Sequence, residues 1–149
     1  MSIKEEIYEA FHKLINEKVR SLQRVLDELK ESGKNETKST AGDKHETALA
    51  MLQIEQENKR QQLSEALEQK RLFEKIDPAI QSVHIIKGSL VKTNRGYLLL
   101  SVAAGKVIAG DKKIFAISEK SPLGARLMGL RKGDKVDMNG LEYLVEAVE

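Results

Sequence analysis

The sequence contains no cysteine, no tryptophan and only two prolines among its 149 residues. Without cysteine the chain can form no disulfide, no thiolate metal site and no thiol nucleophile. No stretch approaches the ~18 consecutive apolar residues of a membrane span, and the charged first thirty residues lack the apolar core of a signal peptide. We therefore expect a cytoplasmic protein with no membrane partner.

Charge is abundant, since 32% of the residues are Asp, Glu, Lys or Arg, but the formal net charge is only +2. Residues 1–76 carry 14 basic and 15 acidic side chains, whereas residues 77–149 carry 11 and 8. A protein that wraps nucleic acid relies on a strong excess of basic side chains to neutralise phosphates. Neither half therefore predicts a self-sufficient DNA-binding domain.

Apolar residues near the start of the chain recur every three, four or seven positions, which is the period of an amphipathic α-helix. This pattern covers residues 3–30, and neither glycine nor proline occurs before Gly33. Turn-forming residues dominate residues 31–42, so we expect the helix to stop in that segment. The sequence thus predicts one long helix with a single apolar stripe.

A second helical pattern opens at Asp43 and continues to about Lys75, shortly before Pro78 ends it. Two helices of similar length joined by a short polar turn favour an antiparallel coiled-coil hairpin, because each apolar stripe can be buried on the other helix. At 1.5 Å per residue each arm would be ~40 Å long. The expected hairpin domain covers residues 1–76, with an acidic tip near residues 39–48.

Short β-type runs separated by glycine-containing turns follow the helices. The expected strands cover residues 83–86, 89–91, 97–102, 114–117, 135–138 and 141–148. Asn139-Gly140 suits a two-residue type I′ turn between the last two strands, which would set Met138 opposite Leu141 and Val136 opposite Tyr143.

One short helix is expected between these strands, at residues 121–129. Ser121 suits the N-cap, Pro122 the first helical position, and Gly129 the left-handed residue after the helix. Residues 77–149 are therefore expected to form a small, mostly antiparallel β domain with one short helix. The predicted fold class is α+β.

Two carboxylates lie at the expected start of the second helix. Asp43 and Glu46 fit a variant of the capping box, in which each side chain accepts a hydrogen bond from a backbone N–H. They could also share a Mg²⁺ ion, which commonly takes one or two protein carboxylates and keeps water or substrate oxygens as its other ligands. Spacing alone leaves both interpretations open. Lys34, Lys38 and Lys44 flank this tip and either face phosphates or remain solvated.

The chain resembles the bacterial Gre transcript-cleavage factors over essentially its whole length. Their tip motif, Gly-Asp-Leu-x-Glu-Asn-Ala, is matched here at Gly42, Asp43, Glu46 and Ala48. Their C-terminal signature, Ile-Ser-x-x-Ser-Pro-Leu-Gly followed by Gly-Asp-x-Val, is matched at residues 117–124 and 133–136. Order and spacing agree in both motifs, and the C-terminal motif is the more specific.

The resemblance implies a transcription elongation factor that is not itself an enzyme. In such a factor a C-terminal FKBP-like domain docks on the rim of the RNA polymerase secondary channel, while the hairpin reaches inside. Asp43 and Glu46 would then help to hold a second Mg²⁺ and orient the water that cleaves the nascent RNA 3′ end of a backtracked complex. The factor alone would bind no cofactor, because this Mg²⁺ is shared with the polymerase active centre.

Partner contacts follow from the same resemblance. At the tip, Lys38, Gly42 and Lys44 would contact the polymerase complex. In the β domain, Ser121 and Pro122 would lie in the loop that docks on the channel rim. The expected factor is a cytoplasmic monomer, and DNA binding is expected with its transcriptional role.

Departures from the tip motif leave an alternative function open. Lys44 replaces Leu, Thr47 replaces Asn, and Leu49-Ala50 stand where a Glu-Tyr pair is usual. An ammonium beside Asp43 would compete with Mg²⁺ by roughly 1 kcal/mol or less where water screens it. The alternative is a Gre-like regulator that binds polymerase without cleaving RNA. Two further hypotheses, a prolyl isomerase and a coiled-coil adaptor, would need no polymerase.

Overall fold

Two long helices, six strands and one short helix follow one another along the chain. The computed structural model describes the backbone of residues 2–37 and 42–149, and the side chains of residues 2–34 and 46–149. The helices and strands are α1 Ile3–Thr37, α2 Gly42–Glu74, β1 Leu90–Thr93, β2 Gly96–Ser101, β3 Gly105–Ala109, β4 Lys112–Ser118, α3 Pro122–Leu127, β5 Lys135–Met138 and β6 Leu141–Val148. This architecture confirms the predicted α+β class.

The strands form one six-stranded sheet in the order β3-β4-β2-β1-β6-β5. β2 and β4 are parallel, whereas every other neighbouring pair is antiparallel. The β5–β6 hairpin has the expected register, with Met138 opposite Leu141, and its turn residues Asn139 and Gly140 both have positive φ. The sheet is therefore mostly antiparallel, with β3 and β5 at its edges.

An apolar cluster of buried side chains packs on one side of this sheet. Its buried members come from three strands, from α3 and from the segment before β1: Ile85, Val91, Leu98, Leu100, Leu127 and Val145. Leu127 belongs to α3, so this short helix covers part of the sheet. By the area removed from water, each fully buried Leu, Val or Ile stabilises the fold by about 1.5–3 kcal/mol.

The chain divides into two compact units. One comprises Met1–Leu14 and Gln69–Glu149, and the other comprises Ile15–Glu68. The first unit groups the beginning of α1 and the end of α2 with the sheet, where Phe73 packs against Tyr8 and Phe11 with ring centroids 5.4 and 6.5 Å apart. The domain boundary predicted at residues 76–77 stays a prediction. In the described ranges, no helix has an apolar stretch of the length that a bilayer requires.

The second unit consists of paired segments of α1 and α2. Less exposed residues of α2 recur at alternating intervals of three and four, the spacing of a coiled-coil seam: Leu49, Leu52, Gln56, Lys59, Leu63, Ala66, Lys70 and Phe73. Gln56 donates a 3.3 Å hydrogen bond from Nε2 to the carbonyl oxygen of Leu29 in α1. Polar residues in the seam explain why the apolar pattern of α2 is interrupted in the sequence.

Two strand assignments from the sequence are wrong, whereas α1 ends within the predicted segment 31–42. It continues through Gly33 to Thr37, because pairing with α2 outweighs the low helix propensity of this segment. Residues 83–86 do not join the sheet, since Ile85 exchanges its backbone hydrogen bonds with Gly129 and Leu130 after α3. β3 was missed, because its short apolar run lies between two glycines that indicated turns.

Candidate functional site

The acidic pair predicted to assist catalysis occupies the first turns of α2. The helix begins at Gly42, so Asp43 and Glu46 are its second and fifth residues. Positions three apart are neighbours on a helix surface, about 5–6 Å between Cβ atoms. The two positions therefore lie on the same side of α2, as the prediction of a shared metal requires.

The structure describes the candidate tip residues to different extents. The side chain of Glu46 is exposed, so its carboxylate is accessible to another molecule. Lys38 lies outside the described residues altogether. At Gly42, Asp43 and Lys44 the backbone is helical, but their side chains fall outside the described part of the chain. Because α2 begins at Gly42, Asp43 lies inside the helix and is not its N-cap, so the predicted capping box is wrong. The contacts of Lys38 and Lys44 stay predictions.

A Mg²⁺ ion fits the chemistry of this pair, because carboxylate oxygens are the hard ligands it prefers. Mg²⁺ requires six ligands in near-octahedral geometry, which two side chains cannot supply. Among the residues that the structure describes, no group of three or more His, Asp or Glu side chains is placed to hold a metal ion. A Mg²⁺ held at the tip would thus take its other ligands from water or from a second molecule.

The helix surface that follows the acidic pair is apolar and exposed. Met51 is 65% exposed and Ile54 is 62% exposed. Ala50, four residues after Glu46 and four before Ile54, is exposed on the same side. The sequence had indicated only that Ala50 departs from the family motif, and nothing in it showed that these apolar residues lie outside the seam.

The second predicted contact region lies where β4 leads into α3. Ser121 is the N-cap of α3: its Oγ accepts a 3.1 Å hydrogen bond from the Gly124 N–H and donates a 2.6 Å bond to the Ser118 carbonyl oxygen. Pro122 is the first helical residue and is exposed. A Cβ at position 124 would lie 2.0 Å from the Ser118 carbonyl oxygen, so only glycine fits. These contacts fix the backbone around Pro122.

The remaining part of the C-terminal signature also has a structural role. Gly133 has a φ of +96°, and its N–H donates to the Val145 carbonyl oxygen at 2.8 Å. Asp134 accepts a 2.9 Å hydrogen bond on Oδ2 from the Arg131 N–H. The Gly-Asp pair therefore builds the turn that leads into β5. Most of the signature is explained by folding, and Pro122 is an exposed member at the start of α3.

A cavity that no sequence motif indicated lies in the unit that contains the sheet. Its volume is about 790 Å³, and Lys4, Lys132 and Glu149 are among its lining residues. Lys4 is buried and donates a 2.7 Å hydrogen bond from Nζ to the Ile80 carbonyl oxygen. Burial lowers the pKa of Lys4, and the negative charges of Glu149 and Asp77 partly oppose that shift. Both signs of charge meet here, so the cavity favours neither anions nor cations.

Two other side chains of this unit have shifted pKa values. Burial, together with the negative charge of Asp77, raises the pKa of Tyr8 above its usual range. A hydrogen bond of 2.9 Å with His12 lowers the pKa of the exposed Glu74 carboxylate. Neither group belongs to the predicted tip or to the β4–α3 junction. Their partners come from distant parts of the sequence, so residue spacing could not predict these interactions.

Comparison with known proteins adds little to these observations. No family model matches the sequence, and no curated protein matches it. Among solved structures, one described as the transcription factor Gfh1 is similar over 93% of this chain and 93% of its own, at 17% sequence identity and a TM-score of 0.38. A likeness this weak carries no argument about function, which must come from the residues themselves.

Proposed function

We propose that this protein is a transcription elongation factor that binds RNA polymerase through its secondary channel and stimulates Mg²⁺-dependent cleavage of backtracked nascent RNA. The observation that carries the proposal is the position of Asp43 and Glu46 on one side of α2, in its first turns. These positions directly follow the connection between the two helices of an antiparallel hairpin. An acidic pair there suits delivery into another molecule's active centre.

The dimensions of the hairpin support this role. α1 has 35 residues and α2 has 33, so each helix is about 50 Å long at 1.5 Å per residue. Two paired helices are roughly 20 Å wide, since one helix with its side chains is about 10–12 Å across. A body of that width can enter a channel that excludes a folded domain.

In the proposed mechanism the chain contributes carboxylates and position, and the polymerase contributes the RNA and the remaining metal ligands. Asp43 and Glu46 would hold a Mg²⁺ that, when bound, activates water for attack on a phosphodiester. Two carboxylates three residues apart on one helix face need little reorganisation when they meet that ion. The factor itself therefore remains an accessory protein whose effect disappears without polymerase.

The β4–α3 junction supplies a docking surface in this proposal. Pro122 presents a rigid, exposed ring at the start of α3, and the hydrogen bonds of Ser121 hold the backbone beneath it. A surface that is ordered before binding loses less conformational entropy when a partner covers it. Ser121 thus contributes by positioning, whereas Pro122 is expected to contact the channel rim.

A cleavage assay on a stalled, backtracked elongation complex tests the proposal. The wild-type protein should shorten the RNA from its 3′ end in the presence of Mg²⁺, and only with polymerase. A double variant with Asp43→Asn and Glu46→Gln should lose this activity while still binding polymerase. Glu55→Gln combined with Glu65→Gln removes two exposed charges elsewhere on α2 and should cleave as the wild type does. Equal cleavage by the two double variants would refute the role of the tip.

The exposed apolar surface beyond the acidic pair favours a second candidate, a regulator that binds the channel without cleavage. Met51 and Ile54 could contact a channel wall without any metal, and Lys44 places a positive charge next to Asp43 in the sequence. If the protein competes with another channel-binding protein for polymerase but does not shorten the RNA, this second candidate is supported. Loss of competition in a variant with Met51→Glu and Ile54→Glu would locate the contact.

A further inference from the structure

β3 is an edge strand, and among the described residues no strand pairs with its outer side. Its residues Gly105–Ala109 pair only with β4 within that part of the chain. Edge strands present backbone N–H and C=O groups that can pair with another chain, unless the protein covers or disrupts them. The two edges of this sheet differ in whether another part of the protein bonds to their outward backbone groups.

The hairpin register identifies which backbone groups of β3 are free. Gly110 and Asp111 form a two-residue turn, and the positive φ of Gly110 suits the first central position of a type II′ turn. In such a hairpin the closing pair is hydrogen-bonded, and hydrogen-bonded and non-hydrogen-bonded pairs alternate along antiparallel strands. Ala109 and Lys112 form that closing pair. The N–H and C=O groups of Lys106 and Ile108 therefore face away from β4.

At the opposite edge of the sheet, β5 also has outward-facing backbone groups, but a side chain hydrogen-bonds to one of them. In β5, the same alternation turns the backbone groups of Asp137 away from β6. Arg126 of α3 donates a hydrogen bond from Nη1 to the Asp137 carbonyl oxygen. In the described structure a side chain thus satisfies the outward carbonyl of β5, whereas no corresponding bond reaches Lys106 or Ile108.

The side chains beside this edge combine apolar surface with positive charge. Lys106 lies opposite Phe115, and Ile108 lies opposite Lys113, so all four side chains share one face of the sheet. Ile108 is 68% exposed and Phe115 is 41% exposed. We call these four residues the β3 patch.

The β3 patch extends the apolar core to the sheet edge. Phe115 is next to Leu98 in the β2–β4 register, and Leu98 is buried in the main cluster. Neither Lys106 nor Lys113 forms an ion pair with any residue in the described ranges. Lys112 projects to the other face, with its ammonium 5.8 Å from the centre of the Tyr97 ring. Two unpaired cations thus flank two exposed apolar side chains.

We propose that β3 is a docking edge to which a protein partner adds an extended segment, with an acidic side chain opposite Lys106 and an apolar side chain opposite Ile108. Backbone hydrogen bonds to Lys106 and Ile108 supply the pairing, and the β3 patch selects the side chains. A second copy of this chain is a poor occupant, because antiparallel pairing of two β3 strands would gather the lysines of both copies. This site is independent of the transcriptional role.

Titration with a designed peptide tests the proposal on the full-length protein. The probe is a capped peptide, Thr-Glu-Thr-Val-Thr-Glu-Thr, whose Glu and Val side chains share one face when extended. Its addition should shift the backbone amide resonances of β3 and β4 in NMR spectra. A peptide with Lys in place of Glu, and one with an N-methylated Val amide, should each bind at least about tenfold more weakly. Equal binding by these peptides would overturn the proposal.

Matched variants locate the binding site. Ile108→Glu should weaken binding of the acidic peptide about tenfold, whereas Val83→Glu, at a residue that is 74% exposed and outside the sheet, should not change it. Lys106→Glu should favour the Lys-containing peptide instead. Resonance shifts at β5, or no shifts at saturating peptide, would refute the assignment. So would a concentration-dependent dimer in sedimentation that Lys106→Glu abolishes, because the occupant would then be a second copy.

Discussion

The hydroxyl of Tyr8 in α1 donates a 2.8 Å hydrogen bond to the carbonyl oxygen of Gly88, 80 residues later in the chain. Gly88 has a φ of +100°, and a Cβ there would lie 2.9 Å from Ile76 and 3.3 Å from the Tyr8 hydroxyl. Only glycine therefore allows this close approach. The bond connects the beginning of α1 to the segment before β1, within the unit that contains the sheet.

Tyr8→Phe should destabilise the protein because it keeps the ring and removes the donor. A buried carbonyl left without its partner costs about 1–3 kcal/mol, so we expect a loss of that size in the free energy of unfolding measured with urea. Tyr97→Phe is the matched control, because no hydrogen bond of the Tyr97 hydroxyl occurs among the described residues. The control should change stability by less than about 0.5 kcal/mol. Equal effects of the two variants would contradict the role of the bond.

Lys4 should make stability depend on pH in the alkaline range. Because burial lowers its pKa in the folded state, the unfolded chain binds more protons between that lowered pKa and the usual lysine value of 10.5. The cost of burying the ammonium is therefore relieved as pH rises through this window. The free energy of unfolding of the wild type, minus that of Lys4→Met, should increase from pH 7 to pH 10.5. Taking the difference removes the opposing titration of Tyr8, and a constant difference would contradict the prediction.

Variants at Ser121 and Pro122 should distinguish a role in folding from a role in polymerase docking. Ser121→Ala removes the N-cap of α3 and should lower the free energy of unfolding by about 0.5–2 kcal/mol. Pro122→Ala should change stability little, because the ring is exposed and has no hydrogen-bonding group. If Pro122 contacts polymerase as proposed, this second variant should bind polymerase about tenfold more weakly at unchanged stability. Thermal unfolding and a polymerase binding assay give the two readouts, and unchanged polymerase affinity in Pro122→Ala would contradict its docking role.

Local chemistry explains which parts of the fold were predictable. Asn139-Gly140 and Ser121-Pro122 specify a turn and a helix start through their own backbone preferences, and both occur where the sequence placed them. The sequence limited the end of α1 only to residues 31–42, because pairing between helices, seen at Gln56 and Leu29, is not visible in the helix's own sequence. Ile85 was assigned to a strand because an apolar run does not reveal which backbone will pair with it.

The candidate site was predictable to a similar degree. Spacing placed Asp43 and Glu46 on one side of a helix, and the helical backbone from Gly42 agrees. The burial of Lys4 could not be foreseen, since it depends on residues such as Ile80 that are 76 positions away. The edge of β3 was also hidden, because strand order in a sheet depends on pairing between distant segments. Residue spacing thus reports local geometry and leaves long-range contacts undetermined.

Gly33 should be replaceable by alanine with a gain in stability. α1 continues through this residue, and a Cβ there would lie 3.7 Å from the Gln56 Nε2, which is an ordinary contact distance. Glycine inside a helix is less favourable than alanine by about 0.5–1 kcal/mol, so Gly33→Ala should raise the free energy of unfolding by that amount. Slower amide hydrogen exchange at residues 31–37 should accompany the gain.

Gly105→Ala is the matched control for this prediction, because it makes the same chemical change where the backbone forbids it. Nothing lies within 4 Å of a Cβ at Gly105, yet its φ of +89° strains any residue with a side chain. The control should therefore lower stability by about 1 kcal/mol or more. Opposite signs in the two variants would attribute the effects to backbone conformation. A loss of stability in Gly33→Ala would instead mean that α1 ends before Gly33, near the start of the segment in which the sequence predicted its end.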